Sequence, residues 1–530
     1  MTLKQKLLSH KNNFILAFIV TGMILFPDIL ANYHWKHYAD YDPFLVVLEI
    51  LSIYIFLLLF TMTKKSYFII ASFFLVSIGF VEIVYYSFFR TYMKDYDWGL
   101  IAETEDIIGS LKSIISLVIL VLFLMMIFLI ILYLLEKYIK PKKNRYAKYI
   151  LVPIFVLLFI GVKYYSHKFP NKTNFSSINA SSTLVLAIIH AVSFQNEKKF
   201  LPYSVIKTNS EKPIVIMIMG ESLNAKKMNL FGFHYSNTPM LNQLKTDTNF
   251  QYKLAISGGV NTSISVPTFF DVKREPQNRI LVNSNKTNLM KLAKQNGYKT
   301  YWISTQKEEW QIKRIFHDAD VVKTQRDWAK PLYDDVLVKY IKNINFNKKT
   351  FVVLHLRANH SPYEDFTPKT YYKWKFNYNN YHKYKLFSYM DSVLYVDSVI
   401  YSIVDYMKNN KKNFVIYFTS DHGEMLGAKE EHWIYGHSQL DINCAIVPFL
   451  YYSDRYEKNL NQSIYNHYSI SKMLAHDLGF TIVNPNEDGS YFLNGVDDFG
   501  NWGFIHYRLP INTKKQETNT TLKILSLGHL

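Results

Sequence analysis

The sequence predicts a two-part architecture: five membrane-spanning helices followed by a doubly wound α/β domain built on a parallel sheet. Three observations carry that prediction. The first third of the 530-residue chain contains long apolar runs. Lysine and arginine gather in alternate loops between those runs. After Pro213, short β-prone apolar runs alternate with amphipathic stretches. The overall hydrophobic content of 49% looks ordinary because it averages a membrane segment with a soluble one. Cys444 is the sole cysteine, which excludes an intramolecular disulfide and a Cys-rich zinc module. The 41 Tyr and 38 Phe argue against a disordered chain.

Taken in order, residues 1–166 hold spans at about 14–31, 44–63, 67–89, 114–135 and 149–165. The fourth, Ile114–Leu135, runs uncharged for about 22 residues, enough to cross ~30 Å of hydrocarbon. In the fifth, Lys163 must snorkel to an interface. The first is read as a retained span and not a cleaved signal, since four more follow it and no small-residue cleavage site is evident. Lys4, Lys6 and Lys11 precede the first span, Lys64 and Lys65 fill the second turn, and Lys137 to Lys148 fill the fourth. The alternate loops carry mixed or acidic charge. By the positive-inside rule the N-terminus is cytoplasmic, and an odd number of spans places everything after Ser166 outside. Asp28, Glu49 and Glu82 fall toward the outer leaflet, where they either cap and snorkel or form a polar recess for a cationic headgroup.

Residues 167–210 are expected to connect the two parts. Within them Ser181–Phe194 starts with a serine cap and is too short to span, which fits an interfacial helix on the outer leaflet or a buried helix of the soluble domain. Residues 211–511 form the soluble domain and 512–530 a C-terminal tail. Its strands are predicted at Ile214–Met219, Tyr301–Ser304, Phe351–Leu356 and Phe414–Phe418, with helices such as Asn288–Gln295 and Tyr389–Lys408 between them.

In an open α/β sheet, ligands sit beyond the carboxyl ends of the strands. There the chain places Gly220-Glu221-Ser222, Arg357-Ala-Asn-His360 and Ser420-Asp421-His422-Gly423-Glu424. Between the first two lies a glycine- and hydroxyl-rich turn from Ser257 through Thr262 to Pro267. Two carboxylates and an imidazole with a hydroxyl nearby form a mixed O/N set suited to zinc. An ion there could lower the pKa of a threonine hydroxyl and neutralise a phosphoryl oxygen.

These motifs, together with Leu230–Pro239 and Ser392–Asp397, resemble those of the phosphoethanolamine transferases of Gram-negative bacteria, membrane members of the alkaline phosphatase/sulfatase superfamily. The resemblance covers the whole chain and implies a sulfatase-like soluble domain in the periplasm, tethered to the inner membrane. It implies zinc as cofactor, with Glu221, Thr262, Asp421 and His422 as ligands and Thr262 as nucleophile. It further implies that His360 and His437 stand near the phosphoryl group, with His432 competing for the place of His437, and that Gln306 contacts substrate. The expected donor is phosphatidylethanolamine and the acceptor an anionic glycolipid such as lipid A or core oligosaccharide, in a ping-pong transfer through phospho-threonine. Departures from the family pattern are the lack of disulfides, Gly258 where cysteine is frequent, and Ser222 in place of the commoner threonine.

Rival readings are a phosphoglycerol transferase or phosphohydrolase of the same superfamily, and a non-catalytic membrane binding protein. Sulfatase activity is disfavoured, because Ser265-Val-Pro267-Thr-Phe lacks the arginine of a formylglycine site. The net charge of +18 divides into about +5 through Ser166 and about +13 beyond it. An exported domain near an anionic leaflet accounts for that excess without nucleic acid as a partner.

Overall fold

The structure, a computed structural model, describes residues 10–35, 43–89, 93, 98, 115–144, 146–168, 175–193, 200–276, 278, 281, 284–307, 310–374, 380–455, 460–495, 503–510 and 523–528. They fall into two compact units that divide near residue 189.

In the first unit, five helices occupy the predicted spans: α1 (Lys11–Trp35), α2 (Pro43–Thr61), α3 (Lys65–Phe89), α4 (Ile115–Ile139) and α5 (Lys148–Lys168). Four carry apolar stretches long enough to cross a membrane, and α5 carries a shorter one, Lys148–Ile160, among the described residues. Leu16, Val20, Leu57 and Leu132 lie buried in one cluster, while Phe18, Ile70, Leu122 and Leu157 face outward. An outward surface this apolar is one that hydrocarbon solvates and water does not. Buried Asn13 is tied internally, as lipid requires of a polar group. Asn13 donates to the carbonyls of Thr61 at 3.1 Å and Lys142 at 3.0 Å, and accepts from Lys142 N at 3.0 Å.

A sixth helix, α6 (Ser176–Ser193), starts at Ser176 and not at the expected cap Ser181. The hydroxyls of its polar first turns are satisfied by bonding back along the helix: Ser181 Oγ donates to Ser177 O at 2.6 Å and Thr183 Oγ1 to Asn179 O at 2.9 Å. Its N-terminus is received by the intramembrane carboxylates. Asp28 accepts from Ser176 N at 3.1 Å and from the Ser176 hydroxyl, and Glu49 accepts from Phe175 N at 3.0 Å. Glu82 accepts from Met93 N at 2.6 Å, and the Met93 carbonyl in turn accepts from Asn179 on α6 at 2.8 Å. All three carboxylates are buried. Asp28 and Glu49 thus cap α6, since an anionic group stabilises the open N–H groups at a helix start.

The second unit is built on an eight-stranded sheet. After β1 (Ser204–Lys207) come β2 (Ile214–Gly220), β3 (Phe250–Ile256), β4 (Lys299–Ser304), β5 (Val321–Lys323), β6 (Thr350–His355) and β7 (Phe414–Ser420). A short hairpin, β8 (Met425–Leu426) and β9 (Tyr435–Gly436), precedes β10 (Ile446–Ser453) and β11 (Ile464–Asn466). The order across the sheet is β11-β3-β10-β7-β2-β6-β4-β5. β7, β2, β6, β4 and β5 run parallel, whereas β10 is antiparallel to both β7 and β3.

The predicted strands are therefore present, and the sheet is mixed where the sequence predicts a parallel one. β3 escapes notice because its middle residues are only partly buried and polar ones interrupt the run. β10 contains Pro448, which lies opposite Leu254 of β3 and just before the stretch that pairs with β7, and a proline weakens the sequence signal of a central strand.

Period-two alternation divides the central strand between two apolar layers. Val215, Met217 and Met219 face a cluster holding Phe269 and Phe270 of α7 (Thr262–Phe270) and Leu474 of α9 (His467–Asp477). Ile214, Ile216 and Ile218 face Val393, Val396 and Ile400 of the long helix α8 (Tyr381–Asn410). Both layers are apolar, which is why β2 reads as an unbroken run. β1 pairs antiparallel with β12 (Phe480–Val483). Residues 523–528, expected in a tail, form β15 (Lys523–Gly528), which pairs with β14 (Phe504–Arg508) beside β13 (Tyr491–Asn494).

Candidate active site and metal centre

The register of β2 and β7 sets the site. Gly220 lies opposite Ser420 in this parallel pair, so Glu221 and Asp421 leave adjacent strands side by side. At Gly220 a Cβ would fall 2.9 Å from the Phe418 ring, so glycine allows the strands to close there. Ser222 then turns the chain at φ 52°, a left-handed conformation that a β-branched threonine adopts with more strain. Its N–H donates to Asp421 Oδ1 at 3.0 Å and its hydroxyl to Glu221 Oε1 at 2.6 Å.

Thr262 comes from a third segment. It is the first residue of α7, whose start is capped by the Asn261 side chain accepting from Ile264 N at 3.1 Å. The Thr262 hydroxyl lies 2.6 Å from Asp421 Oδ2, 3.2 Å from Glu221 Oε2 and 3.3 Å from His422 Nε2. Glu221, Asp421 and His422 are fully buried, and their ligand atoms lie within 4.8 Å of one another. His422 Nδ1 faces the Gly423 carbonyl at 3.1 Å, which leaves Nε2 toward the carboxylates. Burial holds its imidazole well below the usual range, with His437 and then His360 adding to the same direction, so it is neutral and ligand-competent. Two buried carboxylates, a neutral imidazole and a hydroxyl converging on one point fit a divalent zinc ion, which would balance their charge.

Of the remaining sequence-predicted residues, His437 and Gln306 meet this centre directly. His437 follows β9 and sets its ring 4.2 Å from that of His422. His432, its competitor, is exposed at the turn of the hairpin with φ 53°. His360 lies beyond β6, its Nδ1 2.6 Å from the Ser361 carbonyl. Gln306 is buried beyond β4, but its Nε2 donates to Glu221 Oε2 at 2.6 Å and to the Leu356 carbonyl at 2.9 Å. Its amide therefore orients a carboxylate of the centre.

Sequence reasoning passed over the supports. His467, at the start of α9, donates from Nε2 to the Ser420 carbonyl at 3.0 Å and sets its Nδ1 3.1 Å from the Ser265 hydroxyl. Ser265 also bonds to the Asp421 carbonyl, which ties α7 to the metal-binding segment. Burial lowers the His467 pKa to about 4, keeping it neutral. On the other side Tyr389 of α8 donates to Ser222 O at 2.8 Å and accepts from Asn224 N at 2.8 Å. No local signal marks either residue, because each acts through a backbone group distant in sequence.

Comparison with known proteins agrees with this geometry. Over 346 residues, 63% of this chain and 59% of the relative, it is 23% identical to the putative transferase YhbX of Escherichia coli O157:H7. Over 235 residues it is 25% identical to the Kdo(2)-lipid A phosphoethanolamine 7''-transferase of Escherichia coli K12, covering 42% of this chain and 41% of that one. The chain thus spans well under two thirds of the length of these relatives. The integral membrane lipooligosaccharide phosphoethanolamine transferase A of Neisseria meningitidis has the same fold, with a TM-score of 0.61 over 88% of this chain and 95% of that one at 15% identity. The sulfatase family model matches residues 213–480, the stretch that carries β2 through the start of β12 and every residue of the centre, and with just over half of its length so matched the protein belongs to the sulfatase family.

Proposed function

We propose that this protein is a zinc-dependent phosphotransferase that moves phosphoethanolamine from phosphatidylethanolamine to an anionic cell-envelope glycolipid, lipid A or core oligosaccharide. The observation that carries this reading is the Thr262 hydroxyl, placed at a helix N-terminus and within 3.3 Å of a buried Glu–Asp–His set. That arrangement suits a nucleophile, since a hydroxyl needs help to ionise and the helix start favours the alkoxide. When held by Glu221, Asp421 and His422 against Thr262, zinc supplies polarisation of the hydroxyl and of a phosphoryl oxygen.

In the first half-reaction Thr262 Oγ forms a bond to phosphorus as the bond to the diacylglycerol oxygen breaks; the threonine proton passes to that oxygen by way of His360 or His437, and phosphoethanolamine is left on threonine. In the second, an acceptor oxygen attacks that phosphorus, its proton passes by the same histidines to the departing Thr262 oxygen, and Thr262 is released. Asp421 and Glu221 orient the hydroxyl, Gln306 holds Glu221, and His360 and His437 face the phosphoryl oxygens. Splitting the transfer lets a lipid donor and a glycan acceptor use one site in turn. The domain works outside the inner membrane, with the chain's N-terminus in the cytoplasm. Its charge of about +13 beyond Ser166 favours phosphate-bearing lipids.

Fluorescent phosphatidylethanolamine provides the test. The wild-type protein should release labelled diacylglycerol and gain mass at the peptide holding Thr262, and Thr262→Ala should do neither. Labelling that survives in the alanine variant would remove Thr262 from the chemistry. A reporter fused after Ser166 should read as exported.

A further inference from the structure

Glu424 closes the Ser420–Glu424 motif without belonging to the metal-binding set. It is buried, and both of its oxygens are engaged: Oε2 lies 2.8 Å from Nδ1 of His437, and Oε1 accepts from the Tyr363 hydroxyl at 2.6 Å. A carboxylate can accept from both groups at once. With Nδ1–H directed at Glu424, the nitrogen that His437 presents to the centre is Nε2. The imidazole plane is set at the same time, with its centroid 4.2 Å from that of His422.

This chain of contacts is rooted in the core. Tyr363 is buried and packs edge-on against Tyr389 at 5.2 Å, the same Tyr389 that holds the backbone of Ser222 and Asn224. The hairpin that delivers His437 is anchored independently. Glu431 accepts from Leu426 N at 2.7 Å and Ala428 N at 3.0 Å, and pairs with buried Lys227 at 2.8 Å. The hairpin brings His437 to the site, but a ring attached by two rotatable bonds still needs a partner to hold its face.

We infer that Glu424, anchored by Tyr363, is the positioning residue of His437, setting its tautomer and ring plane so that the Nε2 lone pair faces the oxygens that attack and leave the phosphorus held against Thr262 and can relay their proton. The inference rests on the transfer reading above for the identity of those oxygens. The Tyr363–Glu424–His437 geometry stands without it.

The test uses zinc-loaded full-length protein and diacylglycerol release from fluorescent phosphatidylethanolamine. Glu424→Ala should lower kcat by roughly 10–100-fold with KM and zinc content retained, as removal of an orienting carboxylate does at other sites. Glu424→Gln, which can still accept from Nδ1–H, should retain more activity than Glu424→Ala. The double variant Glu424→Ala/His437→Ala should be no slower than His437→Ala alone, because the first residue acts through the second. Losses that multiply, or a fall in bound zinc that parallels the fall in rate, would overturn the assignment. A second readout is independent of the donor. In ¹⁵N spectra of the imidazoles, with His437→Ala identifying the signal, the wild type should show the Nδ1–H tautomer and Glu424→Ala a mixture. An Nε2–H tautomer in the wild type, or no change in the variant, refutes the positioning role. Failure of Thr262→Ala to affect diacylglycerol release would instead refute the transfer reading and leave the tautomer result standing.

Discussion

Gly259→Ala offers a direct check on how the turn before α7 places the nucleophile. A Cβ at residue 259 would lie 2.7 Å from Ile264 Cγ2, 2.9 Å from Ile264 Cβ and 3.0 Å from Ser265 N. Carbon atoms in comfortable contact stand about 3.5–4.0 Å apart, so the overlap approaches 1 Å. Ile264 is buried and branched at Cβ, which leaves it little rotamer freedom with which to yield. The first turn of α7 must therefore back away, and Thr262 lies in that turn. Its hydroxyl, 2.6 Å from Asp421, would lose registry by several tenths of an ångström. Displacements of about 1 Å at a reacting group cost on the order of 100-fold in rate, and overpacking of this kind costs about 1–3 kcal/mol of stability. The expected outcome is a ~100-fold slower release of diacylglycerol with zinc content preserved, because Glu221, Asp421 and His422 come from other segments. Adding Ile264→Ala, which removes Cγ2, should restore part of the rate. Wild-type turnover in Gly259→Ala would refute the claim that this turn positions Thr262, and so would a loss of zinc that matched the loss of rate.

Zinc at 100 times its Kd should stabilise the folded protein by about 2.7 kcal/mol, so chelation should lower the unfolding temperature by roughly 5–10 °C. Asp421→Ala should abolish that difference in a thermal melt, and a chelator-insensitive wild type would dismiss the centre. In the membrane unit, Asp28→Ala should cost about 0.5–2 kcal/mol through loss of the cap on α6, while Asp28→Asn keeps an acceptor and should cost less. Hydrogen exchange at Ser176 reads this out, and unchanged protection in the alanine variant would contradict the capping. Burial pushes the Asp334 carboxyl up to about 6, despite bonds from Thr305, Arg357 N and Ala358 N. Between pH 4 and 6 the unfolded chain is ionised there while the folded one still holds its proton. Its contribution is thus fully present below about pH 4 and is lost as pH rises through 6, by up to about 3 kcal/mol. Chemical denaturation of Asp334→Asn across that range should show a flatter profile than wild type, and parallel profiles would count against the shift.

Much of the centre was legible in the sequence because parallel strands buried on both faces read as apolar runs, and ligands follow such runs directly. Glu221, His360 and the Asp421-His422 pair all stand just beyond a predicted strand. Thr262 was found by its glycine- and hydroxyl-rich turn. The other quoted motifs prove structural: Asn237 and Thr238 accept from Asn229 N and Leu230 N within their own loop, and Asp397 accepts from Met240 N and Leu241 N. What stayed hidden depends on contacts between distant residues. Gln306 reads as a substrate contact, and nothing in its own stretch announces the bond from its amide to Glu221. Glu424 reads as the end of a motif until His437 closes on it. The backbone that Asp28 and Glu49 cap lies 126 or more residues away, so nothing in their own spans announces it. β10, with its proline, and the half-exposed β3 give too weak a pattern to reveal that the sheet turns antiparallel beside β7.

The separation of the ligands in sequence has a consequence for how the ion is acquired. Thr262 is 41 residues from Glu221 and 159 from Asp421, and the chain has no second cysteine with which to make a local thiolate chelate. The unfolded polypeptide therefore contains no high-affinity zinc site, unlike small zinc modules whose ligands are close neighbours. The site comes into being only once β2 and β7 have paired and α7 has docked. A domain that crosses a membrane unfolded in this way would carry no zinc with it, and its activity would follow the metal supply of the compartment in which it folds.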